Sequence, residues 1–332
     1  LKNQLGETIL TPEHLTYAIR IPSATRFAHN KYKKELFPAW YHAGELKKGD
    51  LALYPKPKIP KRFDKIFLNV VRNKWDFKSK KIKNCIKLNP GLMRLFGYFI
   101  SEGNTRANNK EVCLTFNIKE TRYVEDVEKI LKDNFNLKTF VKKQPKRNIV
   151  RIICYNVHLS RFLRKHFGTK SLNKRIPDFA FYTSPKLQKE LIKALWRGDG
   201  YVNFERKAQR AGFVSISKEL VHQLKLLLLN QGIMSSIYHE GKKVVKGVNH
   251  KACFRIHVGS KNSVEKLAKI LGIKLSWRVN KNIKNNGWID KNYVYLPIRK
   301  INKIDYSGTV FNLEVQEDHS FITDSFLLHN CG

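Results

Sequence analysis

Acidic residues are scarce in this chain: 27 Asp and Glu stand against 64 Lys and Arg, a formal charge of +37 on 332 residues. A compact protein with such a surplus repels itself. Two accounts are open, a bound polyanion whose released counterions supply much of the affinity, or general lysine decoration from an AT-rich genome. Local density favours the first, because positions 51–90 carry 12 Lys or Arg and only Asp64 and Asp76. Cysteine is also sparse. Cys85, Cys113, Cys154, Cys253 and Cys331 never form a C-x-x-C pair, which argues against structural zinc and a disulfide framework and points to a reducing, intracellular, cytoplasmic setting. Cys113, Cys154 and Cys253 alternate with apolar neighbours and read as small buried hydrophobes. Long apolar runs are missing: the richest, Leu224 to Leu229, stops at Asn230 and Gln231, so no membrane partner is expected. No signal peptide is legible. The 42% apolar content and the length suffice for two domains with real cores.

The middle of the chain reads as a duplication. LFGYFISEG begins at Leu95 and IKALWRGDG at Ile192, each a helical run ending in an acid and a glycine, Glu102-Gly103 and Asp199-Gly200. After the first come a strand-like EVCLTF (111–116), a helix from about Glu120 to Asn134, the strand RIICYN (151–156) and a helix around Phe162. After the second come GFVSIS (212–217), a helix through Leu229, CFRIHV (253–258) and the helix VEKLAKILG (264–272). Helix, two strands, helix, two strands, helix therefore recurs in each half.

Small residues at Gly97, Ser101, Ala194 and Gly198 predict close packing of the two repeated helices, with Glu102 and Asp199 side by side at their ends. The glycines that follow are expected to let the chain turn sharply away. Two carboxylates facing one space call for a counter-charge, and divalent metal is the expected resolution. Paired acids and metal beneath a basic surface describe phosphodiester hydrolysis; the alternative is two helix ends with solvent-facing acids.

A different chemistry is written near the end. His329, Asn330 and Cys331 follow the apolar run Phe326 to Leu328. An Asn side-chain amide can attack its own main-chain carbonyl, forming a succinimide and cleaving the next bond. His329 can supply a proton and the Cys331 thiol can take an acyl group.

LFGYFISEG and IKALWRGDG resemble the two LAGLIDADG motifs of homing endonucleases, over roughly residues 90–285. TPEHLTY (11–17) with AGELKKGDLALYP (43–55) resembles the second conserved block of inteins, and VFNLEVQEDHSFIT (310–323) with LLHNC (327–331) resembles their two C-terminal blocks. The resemblance implies an intein of the type that contains a homing endonuclease. It also implies that the first splicing block is not represented, since the second begins at about residue 8; a nucleophile-bearing segment lies upstream, has been removed, or belongs to a separate intein fragment.

The resemblance assigns residues. Glu102 and Asp199 fall on the metal-binding carboxylates, with Mg2+ the implied cofactor and Glu102 a departure from the usual Asp. Lys174, in KRIP (174–177), falls on a basic residue of the active centre. Lys281 is its second-half counterpart, because LNKRI (172–176) is echoed by VNKNI (279–283). In splicing, Thr11 and His14 assist the upstream acyl shift and Cys331 captures the acyl group. His319 and His329 assist cyclisation of Asn330. Asn312 stands where many members carry Asp.

The implied architecture is a mainly β, Hint-type splicing domain built from both chain ends, residues 1–57 and 295–332, with Cys331 and Gly332 belonging to the downstream host. An α/β, pseudo-symmetric endonuclease domain of repeated αββαββα units interrupts it, with halves at 91–189 and 190–294. Residues 58–90 form a basic linker or a DNA-contacting extension. The implied partners are double-stranded DNA and the flanking host protein segments. The expected activities are a metal-dependent, site-specific double-strand break and autocatalytic splicing. A splicing element whose decayed endonuclease domain only binds DNA or supports the fold is the alternative. A basic structural or ribosome-associated role would explain the charge but not the ordered motifs.

Overall fold

Proline, asparagine and serine set the helix starts that organise the middle of the chain. The computed structural model describes residues 1–22, 37–56, 62–69, 73–106, 110–203, 210–245, 247–275 and 287–330. Helix α1 (Pro90–Glu102) begins where the Asn89 side chain accepts from the Leu92 amide at 2.9 Å, with Pro90 in the first turn. Helix α2 spans Thr121–Phe135, α3 Val157–Phe167, α4 Pro185–Asp199, α5 Lys218–Asn230 and α6 Lys261–Leu271. Ser184 and Pro185 open α4 as Asn89 and Pro90 open α1. These caps come from residues that lack helix-interior propensity, so the boundaries are local in origin.

Each half folds its strands in one order. The first sheet runs Gly103–Thr105, Glu111–Asn117, Ile149–Tyr155, Phe140–Gln144; the second runs Gly200–Asn203, Arg210–Ser215, Cys253–Val258, Ser236–Glu240. The αββαββα reading describes both. The second half adds a hairpin, Lys243–Val245 with Val248–His250, where the first half has the short turn Pro145–Arg147. Helix α1 is buried on nearly every side, from Leu92 through Ile100 except Arg94. Arg94 forks onto Asp126 of α2, with both nitrogens at 2.7 Å, and reaches Glu190 of α4 at 2.9 Å, tying three helices through charge-assisted bonds.

The chain divides into two units. One holds Ile59–Ile233 and Tyr238–Arg278; the other gathers Leu1–Lys58, Met234–Ile237 and Val279–Gly332. The second unit is mainly β. Its antiparallel sheet runs Trp288–Ile289, Tyr293–Pro297, Leu51–Pro55, Leu15–Ile19, Leu327–His329, Ser320–Ile322, and Ala39–His42 also pairs with Leu15–Ile19. Leu51–Pro55 is buried on both faces and reads as an unbroken apolar run. One face packs Ala18, Ala52, Phe326 and Leu328; the other packs Ile19, Leu51 and Leu53. The buried Asp50 carboxylate accepts from the Ile21 and Lys47 amides at 3.0 and 2.7 Å. The stretch 310–315 has a strand-like alternation but forms no strand, and its Phe311 is 92% exposed.

Candidate functional site

Close approach of α1 and α4 sets the first site. A Cβ on Gly97 would lie 2.6 Å from the Ala194 Cβ and 2.8 Å from the Leu191 carbonyl; one on Gly198 would lie 2.5 Å from the Ser101 Cβ and 2.8 Å from a Glu102 carboxylate oxygen. The seam is therefore built on hydrogen at these two positions. It brings Glu102 and Asp199 to the floor of one open cleft of about 710 Å³, also lined by Lys174, Lys170, Thr115 and Ser215.

The glycines after the acids do not turn the chain as expected. Gly103 and Gly200 hold ordinary extended dihedrals, φ −98° and −89°. A side chain is excluded because its Cβ would fall 2.6 Å from the Phe99 Cα, or 2.5 Å from the Trp196 carbonyl. Bulk, and not conformational freedom, accounts for both.

Lys174 is 5% exposed, and its ammonium donates to the carbonyls of Phe99 and Gly103 at 2.5 and 2.6 Å. It also lies 4.1 Å from the Phe99 ring centroid. The cation thus closes the electronegative end of α1. Two of its three protons are committed to main chain, which suits it to neutralising charge. The loop that delivers it turns at Gly168, φ +71°, where a Cβ would collide with the Asn173 carbonyl.

The three groups are mutually tuned. Burial, then the neighbouring Asp199, pushes Glu102 up to about 7. Partial loss of solvent pushes Asp199 to about 6, against the pull of Lys174. Burial brings Lys174 down to about 7, opposed by both acids. Carboxylates that resist ionisation and repel each other in an open cleft suit a divalent cation. Magnesium is commonly held by one or two carboxylates with substrate phosphates completing the shell. Among the described residues no group of three or more His, Cys, Asp or Glu is placed to hold a metal, so Glu102 and Asp199 are the protein ligands that fit. Lys281 lies outside the described residues.

The mainly β unit carries the other set. Thr16 pairs with Leu328, so the strand after Thr11 and His14 lies beside the strand ending at His329. Thr11 accepts from the His14 amide at 3.2 Å. His14 is buried, packs edge-on to Phe321, and is lowered in pKa by burial and then by His329. His329 Nδ1 lies 2.6 Å from the Asn330 main-chain oxygen. The Asn330 main-chain N–H donates to the His319 carbonyl at 2.9 Å, and the His319 and His329 rings stack at 6.3 Å. His319 holds φ +47°, a left-handed conformation uncommon for a side-chain-bearing residue. The Asn330 side chain is buried, and its Oδ1 has no hydrogen-bond partner among the described residues. His14, His319, His329 and Asn330 are thus brought together, with Thr11 on the adjoining turn. Asn312 is exposed, its side-chain oxygen accepting from the Leu313 amide. Cys331 lies outside the described residues. Sequence reasoning missed Trp40, whose ring meets His329 edge-on at 5.0 Å; an aromatic 289 residues away carries no local signal.

Residues 89–166 and 186–272 match the model of a LAGLIDADG-like domain. An uncharacterised protein of Methanocaldococcus jannaschii is 29% identical over 98% of this chain and 43% of its own length. The ATP-dependent DNA helicase Hel308 of Thermococcus kodakarensis is 27% identical over 97% of this chain and 30% of its own. An iron-sulfur cluster assembly SufBD family protein of Mycobacterium tuberculosis is 24% identical over 89% and 31%. The chain spans less than half the length of these relatives. Among solved structures, the homing endonuclease I-DmoI aligns with 56% of this chain and 98% of its own at 13% identity and a TM-score of 0.42. Full-length DUF199/WhiA from Thermatoga maritima aligns with 62% of this chain and 59% of its own at 9% identity and a TM-score of 0.37.

Proposed function

From the premise that this chain carries a LAGLIDADG-like domain, we propose that the domain is a site-specific, metal-dependent endonuclease for double-stranded DNA, borne on a protein-splicing element. The observation that carries the nuclease reading is the convergence of Glu102 and Asp199 at the α1–α4 seam, with the buried Lys174 between main chain and acids. Bound there, Mg2+ would supply activation of water and stabilisation of the leaving oxygen. The two carboxylates would hold it, and Lys174 would offset negative charge gathering in the cleft.

The splicing reading rests on the His14, His319, His329 and Asn330 constellation. The Asn330 side-chain nitrogen attacks the Asn330 main-chain carbonyl carbon. The bond to the Cys331 nitrogen breaks, that nitrogen gains a proton, and Asn330 becomes a succinimide. His329, protonated at Nδ1, donates to the carbonyl oxygen as charge develops on it. The recurrence of nearly this whole chain as a minor part of a helicase and of an iron-sulfur assembly protein supports an inserted element. Exposed Tyr306, Val310, Phe311 and Leu313 suit coverage by a complementing segment that carries the first nucleophile. Host segments on either side would be the splicing substrates.

A second reading, in which the domain binds DNA without cutting it, is favoured by the two-carboxylate donor set among the described residues and by Glu102 in place of Asp. Incubating the purified chain and Mg2+ with a duplex spanning the uninterrupted host junction separates the two. The nuclease reading expects a double-strand break lost on chelation. Specific binding without a break leaves the second reading.

A further inference from the structure

Between the first mainly β segment and α1 lies a short basic module, most of it held firmly against the LAGLIDADG-like domain. Lys65–Phe67 pairs with Cys85–Lys87, and between them Lys74–Asp76 forms a single 3-10 turn. Asp76 is 8% exposed and forks onto Arg161 of α3 at 2.6 and 3.3 Å. Its carboxylate also accepts from the Asn73 amide at 2.8 Å. The Asn156 side chain donates to the Lys80 carbonyl at 2.8 Å, the Val157 amide donates to the Ser79 hydroxyl at 3.1 Å, and the Lys80 ammonium donates to the Asn136 carbonyl at 2.6 Å. These bonds fix residues 73–80 on the ends of α2 and α3.

On either side of the anchored Asp76, two aromatics face outward: Trp75 is 75% exposed and Phe77 66%. Lys74 lies over the Trp75 ring at 5.0 Å and Lys78 over the Phe77 ring at 5.7 Å. Residues 73–87 contain six lysines and one acid, and that acid is engaged by Arg161. Two large rings held in water on a rigid turn are a standing cost unless something covers them. Their cationic frame selects an anionic partner with flat apolar faces, which describes nucleic-acid bases flanked by phosphates.

We infer that Trp75 and Phe77 form an aromatic wedge that inserts at a base step of the bound duplex, partly unstacking it and stacking on the exposed base faces, with Lys74 and Lys78 on the adjacent phosphates. This rests on the DNA reading above and adds an asymmetry, since the module belongs to the first half and would engage one flank of the site. An anionic lipid surface shares the charge but not the stacking. Fluorescence titration of the full chain against the uninterrupted-junction duplex, with 2-aminopurine placed at successive positions, tests the inference. Trp75→Ala with Phe77→Ala, checked for an unchanged melting temperature, should weaken binding roughly ten-fold or more, as for loss of stacked bases. It should also abolish the 2-aminopurine signal at one flank while leaving the salt slope intact. Lys74→Gln with Lys78→Gln should lower that slope by one to two. Equal affinity and an unchanged 2-aminopurine profile in the aromatic variant would overturn the wedge while leaving the DNA reading standing. Failure of the wild type to bind either this duplex or one of random sequence would overturn both. Trp75-dependent binding to phosphatidylserine vesicles, with no effect of the substitution on DNA binding, would assign the module to a membrane surface instead.

Discussion

At the residue scale, burial holds both Glu102 and Asp199 above their ordinary values, a penalty that a divalent cation bound between them would relieve. Folded-state values for Glu102 and Asp199 of about 7 and 6 lie above their ordinary values of 4.5 and 3.8. The folded protein therefore binds more protons than the unfolded one between those limits, and this pair's contribution to stability falls as pH rises from about 4 to 7. Magnesium, binding the ionised pair, should restore it. The melting temperature is expected to rise with Mg2+ at pH 8 and to respond little at pH 5, with about 2.7 kcal/mol gained near 100 times Kd. Equal responses at both values would remove the pair from the metal site. Since Lys174 lowers both acids, Lys174→Met should move the midpoint of this pH dependence upward. Glu102→Gln or Asp199→Asn should cut the cleavage rate by roughly a hundred-fold or more, with duplex affinity largely retained in gel-shift titrations. At the junction, Asn330→Ala should stop C-terminal release, read by intact mass; release at the wild-type rate would mean that another group performs the cleavage.

At the element scale, the α1–α4 seam should tolerate little. Gly97→Leu drives a branched side chain into the Ala194 Cβ and the Leu191 carbonyl, and the expected cost is ~3 kcal/mol or more in denaturant unfolding. A loss below 1 kcal/mol would show that the helices part easily. This seam was legible because small residues recur at helical spacing and each helix ends in an acid. The strands around Cys113 and Phe213 were legible from alternation. The hairpin Lys243–His250 was not, since its polar and apolar residues lack a period that stands out from a loop. Phe311 and Leu313 show the converse: a strand pattern needs a partner edge, and periodicity cannot supply one. The targets of Lys174 were equally hidden, because two main-chain carbonyls at a helix end leave no trace in side-chain identity. Trp75 and Phe77 carry no signal of their own in a stretch that reads only as a basic linker or DNA-contacting extension; their exposure on either side of the buried Asp76 emerges only from the fold.

At the scale of the whole molecule, a charge of +37 makes ionic strength the controlling variable for any polyanion complex. Observed affinity for duplex should fall with slope ~0.9 per phosphate neutralised, measured by titration from low to moderate salt. A flat dependence would return the lysines to a general solubilising role. The sheet of the mainly β unit has a further consequence, one of timing. Its strand Leu15–Ile19 is made early but pairs with Leu327–His329, more than 300 residues later. Pairing at such separation is slow to establish, whereas the αββαββα halves close mostly over short spans and can mature while synthesis continues. On the ribosome, the LAGLIDADG-like domain is therefore expected to reach its fold before the strand bearing His329 emerges. If Asn330 cleaves its own bond as proposed, that chemistry would have to wait until Leu327–His329 has paired with Leu15–Ile19, after the rest of the chain has been made.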